Sequence, residues 1–165
     1  MKLILKRASQ SEYFAFSKIA NKAILAGKYP LIASNKPWSR KTILATTNKI
    51  KRKQSFAFVA KIGKNIVAMV GAWPLRGRRA HAIDLGWFVS PDYFSRGVMS
   101  KLLKFSVKEL RKIGFKRAEC EIVPINKASI RVAEKVGFKK EGVKRKAFRL
   151  DSGKYTNLNT YGRLL

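Results

Sequence analysis

Residues 84–101 read DLGWFVSPDYFSRGVMSK, and the change of period within them decides the fold. The segment opens as an alternating strand, with Asp84, Gly86 and Phe88 on one face and Ile83, Leu85 and Trp87 on the other. From Gly97 to Ile113 the period turns helical. Met99, Leu102, Leu103, Val107 and Leu110 share one side, and Gly114 stands at the C-cap position. A strand, a glycine-bearing turn and a helix start line up successive backbone N–H groups, an arrangement that cradles an anion such as a pyrophosphate. The stretch lacks both the lysine-bearing phosphate loop of nucleotide triphosphatases and the three-glycine fingerprint of dinucleotide folds. What remains is phosphate binding without that machinery.

Downstream, Phe115 to Val123 reads as a strand, and Asn126 caps a helix that ends before Gly137. Phe138 to Leu150 and Lys154 to Leu164 form a hairpin about Asp151-Ser152-Gly153. Upstream, Ala82 to Val89 is preceded by a basic loop, Pro74 to Arg79. Before that comes a hairpin of Ser55 to Ile62 and Ile66 to Trp73 about Gly63-Lys64-Asn65. Leu3 to Arg7 is a first strand. Ser9 and Glu12 then form a capping box for a helix to about Lys22, with Tyr13, Phe16, Ile19, Ala20 and Ala23 on its apolar face. A loop with Pro30 and Pro37 leads to a second helix, capped by Ser39 and running to about Lys53. Its last residues, Lys51-Arg52-Lys53, place cations where the helix dipole favours them. The order β-α-α-β-β-β-α-β-α-β-β, with alternation in its second half, predicts an α/β fold: a mixed, twisted sheet of about seven strands flanked by helices. With no linker or repeat in view, residues 1–165 are expected to form a single domain.

The chain has 165 residues, with 37 Lys and Arg against 9 Asp and Glu, a formal net charge of +28. At 46% hydrophobic it can bury a core, so the charge is not that of a disordered tail. Such a surface attracts anions, RNA and acidic lipid among them, and repels polycations. A polycationic acceptor is therefore disfavoured unless a local acidic pocket exists, which nine acids make hard to assemble. One cysteine, Cys120, and one histidine, His81, leave no disulfide framework and no zinc cluster. Cys120 on an apolar strand reads first as packing, with a covalent nucleophile as the other reading. The opening MKLILKR is too short of apolar residues for a signal peptide, and nothing approaches the roughly 20 apolar residues of a membrane span. A cytoplasmic setting without membrane contact is expected.

Asn126 to Gly142, reading NxxSxxVAEKxGFxxEG, follows the upstream xDLGWxVxPxYxxRGxMS block in order and on the expected element types. Together they resemble the GNAT superfamily of acyl-CoA-dependent N-acetyltransferases. Within it the chain is similar to the branch of ribosomal-protein N-terminal acetyltransferases (RimJ/RimL-like). The likeness is diffuse before about residue 55 and firm from Ile66 to the closing TNLNTYGRLL.

The resemblance implies an enzyme that uses acetyl-CoA as cosubstrate and needs no metal. It implies a GNAT-like fold in which the strand Ala82 to Val89 splays from its neighbour. The backbone of Phe88 and Val89 would pair with the pantetheine arm, and the amides of Ser95, Arg96, Gly97, Val98, Met99 and Ser100 would hold the pyrophosphate. The family usually has Gly where Ser95 stands. Asn126 would touch the pantetheine arm besides capping its helix. Many members place a tyrosine acid where Ala133 stands, which leaves Ser129 or a water to protonate the thiolate. Asp84 matches a position that is usually Glu and acts as base toward the substrate amine; one methylene shorter, it favours a water relay. Its other reading is a strand carboxylate paired to an arginine.

By resemblance the acceptor is the α-amine of a protein or peptide N-terminus. A small-molecule amine is the alternative within enzymes, and a non-catalytic RNA- or ribosome-binding module is the alternative outside them. The charge admits docking near ribosomal RNA or reflects a lysine-rich proteome. Lys101, Lys104, Lys108 and Lys112, and the Lys139 to Lys146 cluster, read as solvated faces.

Overall fold

The structure is a computed structural model that describes residues 2–25 and 36–165; the side chain of Ala23 and the loop residue Pro30 lie outside the described residues. The elements follow the expected order: β1 (Leu3–Arg7), α1 (Gln10–Leu25), α2 (Arg40–Lys51), β2 (Phe56–Ile62), β3 (Asn65–Pro74), β4 (Ala82–Val89), α3 (Val98–Ile113), β5 (Arg117–Ile122), α4 (Lys127–Lys135), β6 (Lys139–Arg149) and β7 (Tyr155–Leu164). All seven strands form one sheet, ordered β1-β2-β3-β4-β5-β7-β6. Only β4 and β5 pair in parallel.

Local chemistry sets the boundaries. The capping box forms as read: Ser9 N–H donates to Glu12 Oε2 at 2.9 Å, and Glu12 N–H donates to Ser9 Oγ at 3.2 Å. Lys6 and Lys61 also donate to Glu12, tying α1 to β1 and β2. Burial works against the charged form, but the Ser9 N–H and the two ammoniums outweigh it and hold the Glu12 carboxyl at about 2. That support is full above the ordinary carboxylate pKa and is lost as pH falls toward 2. Helix α2 stops two residues earlier than read, because Arg52 caps it and Lys53 turns left-handed at φ 57°.

The core lies on both faces of the sheet. On one face Leu102, Leu103 and Leu110 of α3 are fully buried against Phe58, Val70 and Ile83. On the other Tyr13, Phe16 and Ile43 of the first two helices pack on Val59 and Met69. Strands β2 and β3 are covered on both sides and accordingly read as continuous apolar runs.

Beside these two central strands the sheet opens. β4 and β5 are in register only at Ala82–Arg117, Ile83–Ala118 and Asp84–Glu119. Beyond that point β4 stays with β3 as far as Val89, while β5 stays with β7 as far as Ile122. A wedge-shaped gap results, with Asp84 at its apex.

Candidate active site

The gap leaves backbone groups without strand partners, and the register says which. Ser90 N–H donates to the Val67 carbonyl at 2.8 Å, and Leu75 N–H donates to the Ala82 carbonyl at 3.0 Å. Even-numbered residues of β4 therefore turn their amides toward β3, and odd-numbered ones toward β5. Trp87 and Val89 present N–H and C=O to the gap, whereas the Leu85 N–H is already engaged where the strands part. This corrects the expectation for Phe88: its backbone belongs to the β3 ladder, opposite Met69, and its ring packs edge-on against Phe16 at 5.8 Å. Val89 and Trp87 keep an open backbone edge toward the gap.

At the head of α3 two residues are left-handed, Ser95 at φ 58° and Gly97 at φ 70°. Among the described residues no side chain caps the helix; Lys101 N–H is bonded to Gly97 O, and the amides of Val98, Met99 and Ser100 head the helix without a partner among those residues. The left-handed φ at Ser95 explains why glycine would be at ease there. Arg96 lies 5.4 Å above the Tyr93 ring.

Asn126 caps α4, with Oδ1 accepting from Ser129 N–H at 3.0 Å. Ser129 stands one turn along, on the same side of the helix. Both residues line a cavity of about 1190 Å³ together with Asp84 and Phe88. Ser95 to Ser100 and Val89 stand outside that lining. Ala133 is fully buried, so no side chain from that position reaches the cavity.

Burial, reinforced by the like charges of Glu121 and Glu119, pushes the Asp84 carboxyl up to about 6, against a backbone hydrogen bond at Leu85 and the charge of Lys144. No ion pair holds it among the described residues. The reading of Asp84 as an arginine-paired strand carboxylate is thereby set aside. Cys120 is buried, and burial first, then Asp84 and its neighbours, drives its thiol far above neutrality. It carries no thiolate for a covalent step. His81 and the α3 lysines are exposed.

Several cavity residues escaped the sequence reading. Arg117, Glu119 and Glu121 alternate along β5 with buried Ala118, Cys120 and Ile122. Such alternation reads as a solvent face; here it faces the cleft. Glu119 accepts from Arg79 at 2.5 Å and from Arg117 Nε at 3.3 Å, Arg117 also forks onto Glu141, and Lys144 donates to Glu121. Trp73 lies across Gly71 and Gly86, where an added Cβ would meet its ring at 2.6 and 3.3 Å. The two glycines form a trough that lays the indole along the cavity wall. Nine acids thus do assemble an acidic floor, contrary to expectation: Asp84, Glu119, Glu121 and Glu141 all line the cavity.

Among the described residues no three His, Cys, Asp or Glu side chains are placed to hold a metal ion, and no helix is long and apolar enough to cross a membrane.

The fold recurs in solved structures. A ribosomal-protein-alanine N-acetyltransferase from Brucella melitensis superposes with a TM-score of 0.87 at 19% identity, covering 98% of this chain and 99% of that one. A phosphinothricin acetyltransferase from Sinorhizobium meliloti, solved with acetyl-CoA, gives 0.87 at 18% identity over 100% of this chain and 89% of that one. At these identities the likeness is one of fold. A Bacillus subtilis protein named as a probable N-acetyltransferase, YjcK, is 31% identical over 68 residues, 41% of this chain and 38% of that protein. The chain therefore spans well under half the length of this curated relative. The model of the acetyltransferase (GNAT) family matches residues 22–138, most of the chain, with β4, β5 and α4 included. The chain belongs to the acetyltransferase (GNAT) family.

Proposed function

We propose that this acetyltransferase moves an acetyl group from acetyl-CoA to the α-amine of a protein or peptide N-terminus, by direct attack with both substrates bound. The residues present fit acetyl-CoA. An extended amide chain matches the open edge of Trp87 and Val89, and a pyrophosphate matches the first turn of α3 behind left-handed Ser95 and Gly97. Bound there, acetyl-CoA supplies an acyl group activated as a thioester.

This chain's own groups carry the protons. Asp84 at the gap's apex accepts, directly or through a water, the proton that the ammonium must lose before its lone pair can attack; the second N–H proton, shed as the tetrahedral adduct collapses, replaces the one that Ser129 passes to sulfur. An open-edge N–H of β4 stabilises the charge that develops on the carbonyl oxygen as the N–C bond forms. As the C–S bond breaks, the Ser129 hydroxyl, or a water it positions, gives the leaving sulfur its proton. Asn126 caps α4 through Oδ1 and keeps its amide NH2 for the pantetheine arm.

The observation that carries the reading is Asp84: a carboxyl in no ion pair among the described residues, raised to about 6, where the sheet divides. The test is thiol release from acetyl-CoA with free-N-terminus peptides, lysine peptides and small amines as acceptors. Turnover with N-terminal amines supports the reading; absence of acetyl-CoA binding overturns it. A small-molecule acceptor remains the second reading, favoured by the side-chain-lined cavity. The exposed basic residues of β6 support docking near ribosomal RNA, where a steep loss of affinity with salt is the expected sign.

A further inference from the structure

We infer that the acceptor carries a second positive charge besides its reacting amine, seated on Glu121 at a place that Lys144 fills in this structure. The inference rests on the acetyl-transfer reading and adds the chemical class of the acceptor.

Four carboxylates, Asp84, Glu119, Glu121 and Glu141, line the cavity against three cations, Arg79, Arg117 and Lys144. In a chain of net charge +28 this floor has carboxylates in excess. Global repulsion does not override it, because charges beyond about 8 Å are largely screened at physiological salt. What an acceptor meets is the floor.

The carboxylates are not equally held. Glu119 is gripped by Arg79 and Arg117, and Glu141 by both arms of the Arg117 guanidinium. Those pairs are structural, since planar guanidinium forks leave little room for exchange. Among the described residues Glu121 has Lys144 alone. The Lys144 side chain is 57% exposed, on a flexible stem from outermost strand β6, whose pairing with β7 slips just beyond it. A pair of that kind contributes little to stability and exchanges readily for another ammonium.

Position gives the seat its meaning. Asp84 is level with Glu119, and Glu121 lies two residues further along the same face of β5, roughly 7 Å on. A butyl chain between two amines, or the basic second side chain of a peptide, spans that reach. Trp73, 37% exposed on the cavity wall, adds an aromatic face of the kind that attracts cations. Carboxylate, indole and a resident lysine ammonium all select for positive charge.

The experiment compares matched acceptors that differ by one charge: peptides beginning Ala-Lys and Ala-norleucine, and 1,4-diaminobutane against butylamine. For wild type, kcat/KM favours the cationic member of at least one pair by roughly five- to tenfold. Glu121→Gln brings that ratio close to one, because KM of the cationic member rises to that of the neutral one; any change in turnover that comes through Asp84 falls on both members alike and leaves the ratio untouched. Lys144→Met widens the ratio by vacating the seat, whereas Lys108→Met, removing an equal charge from α3, leaves it unchanged. Preference confined to the peptides identifies a protein N-terminus as the source, and preference confined to the diamine a small amine. Equal use of both members, or a preference that survives Glu121→Gln, overturns the seat while leaving acetyl transfer standing. Failure of all four acceptors is instead the failure of the transfer reading.

Discussion

The two walls of the β4–β5 gap are made of different material. Toward β4 and α3 the wall is backbone: an unpaired strand edge, two left-handed residues and an uncapped helix start. Toward β5 and β6 it is side chains: Arg117, Glu119, Glu121 and Lys144, facing Asp84 and Trp73 from other strands. Backbone walls recognise what is common to every catalytic cycle, an amide chain and a phosphate, and tolerate many side chains. Side-chain walls recognise what is particular, and change with single substitutions. The contrast predicts that substitutions on the β5 side act on the acceptor, and that those around α3 and α4 act on acetyl-CoA.

The largest expected effect is at Asp84, which belongs to neither wall. Asp84→Asn lowers turnover by about 10²–10⁴ while acetyl-CoA affinity holds, measured by single-turnover kinetics and calorimetry. It also stabilises the fold at pH 8. The folded carboxyl titrates near 6 against an ordinary 3.8, so ionisation destabilises the native state progressively as pH rises between those values. Thermal unfolding should show the gain of Asp84→Asn at pH 8 and its disappearance below pH ~4. No gain at pH 8 would mean that Asp84 is better solvated than its position indicates.

Next is Ser129→Ala, expected to slow turnover by roughly tenfold, less than the hundredfold or more usual for a general acid because a water takes over part of the role. An unchanged rate would assign the proton to water alone. Asn126 separates structure from binding: Asn126→Ala loses about 1 kcal/mol of stability with the cap and also raises KM for acetyl-CoA. Asn126→Ser keeps the cap, so its melting temperature recovers while its KM stays high. Recovery of both would reduce Asn126 to a cap.

The smallest effect is at Ser95. Its left-handed backbone costs about 1 kcal/mol, but glycine's extra freedom in the unfolded chain offsets roughly 0.5–1 kcal/mol of the relief. Ser95→Gly should therefore shift the melting temperature little and leave acetyl-CoA binding intact. A clear loss of binding would show that the serine hydroxyl, rather than the loop's conformation, contacts the phosphate.

The same contrast explains what was legible in the sequence. Element order and the three helix N-caps, Ser9 with Glu12, Ser39 and Asn126, are written in contiguous residues and agree with the structure. The α3 head was legible too, since a turn and its helix lie in one short stretch. Phe88 was misplaced by a single residue. Side-chain alternation says which face a residue takes, but which edge its amides take depends on the partner strand's register. The acidic floor was not legible, because Glu121 and Lys144 meet only after β7 inserts between β5 and β6. Arg117-Ala118-Glu119-Cys120-Glu121 looks like an exposed strand until α1, α2 and the gap define what it faces.

The central claim is that the carboxylate at the apex of the gap takes the amine's proton, and the pH dependence of kcat/KM in wild type and Asp84→Asn tests it most directly. A base titrating near 6 predicts a wild-type rate that falls tenfold per pH unit below about 6, and an Asp84→Asn profile from which that limb is gone. The same limb in both proteins would contradict the assignment and move the base elsewhere.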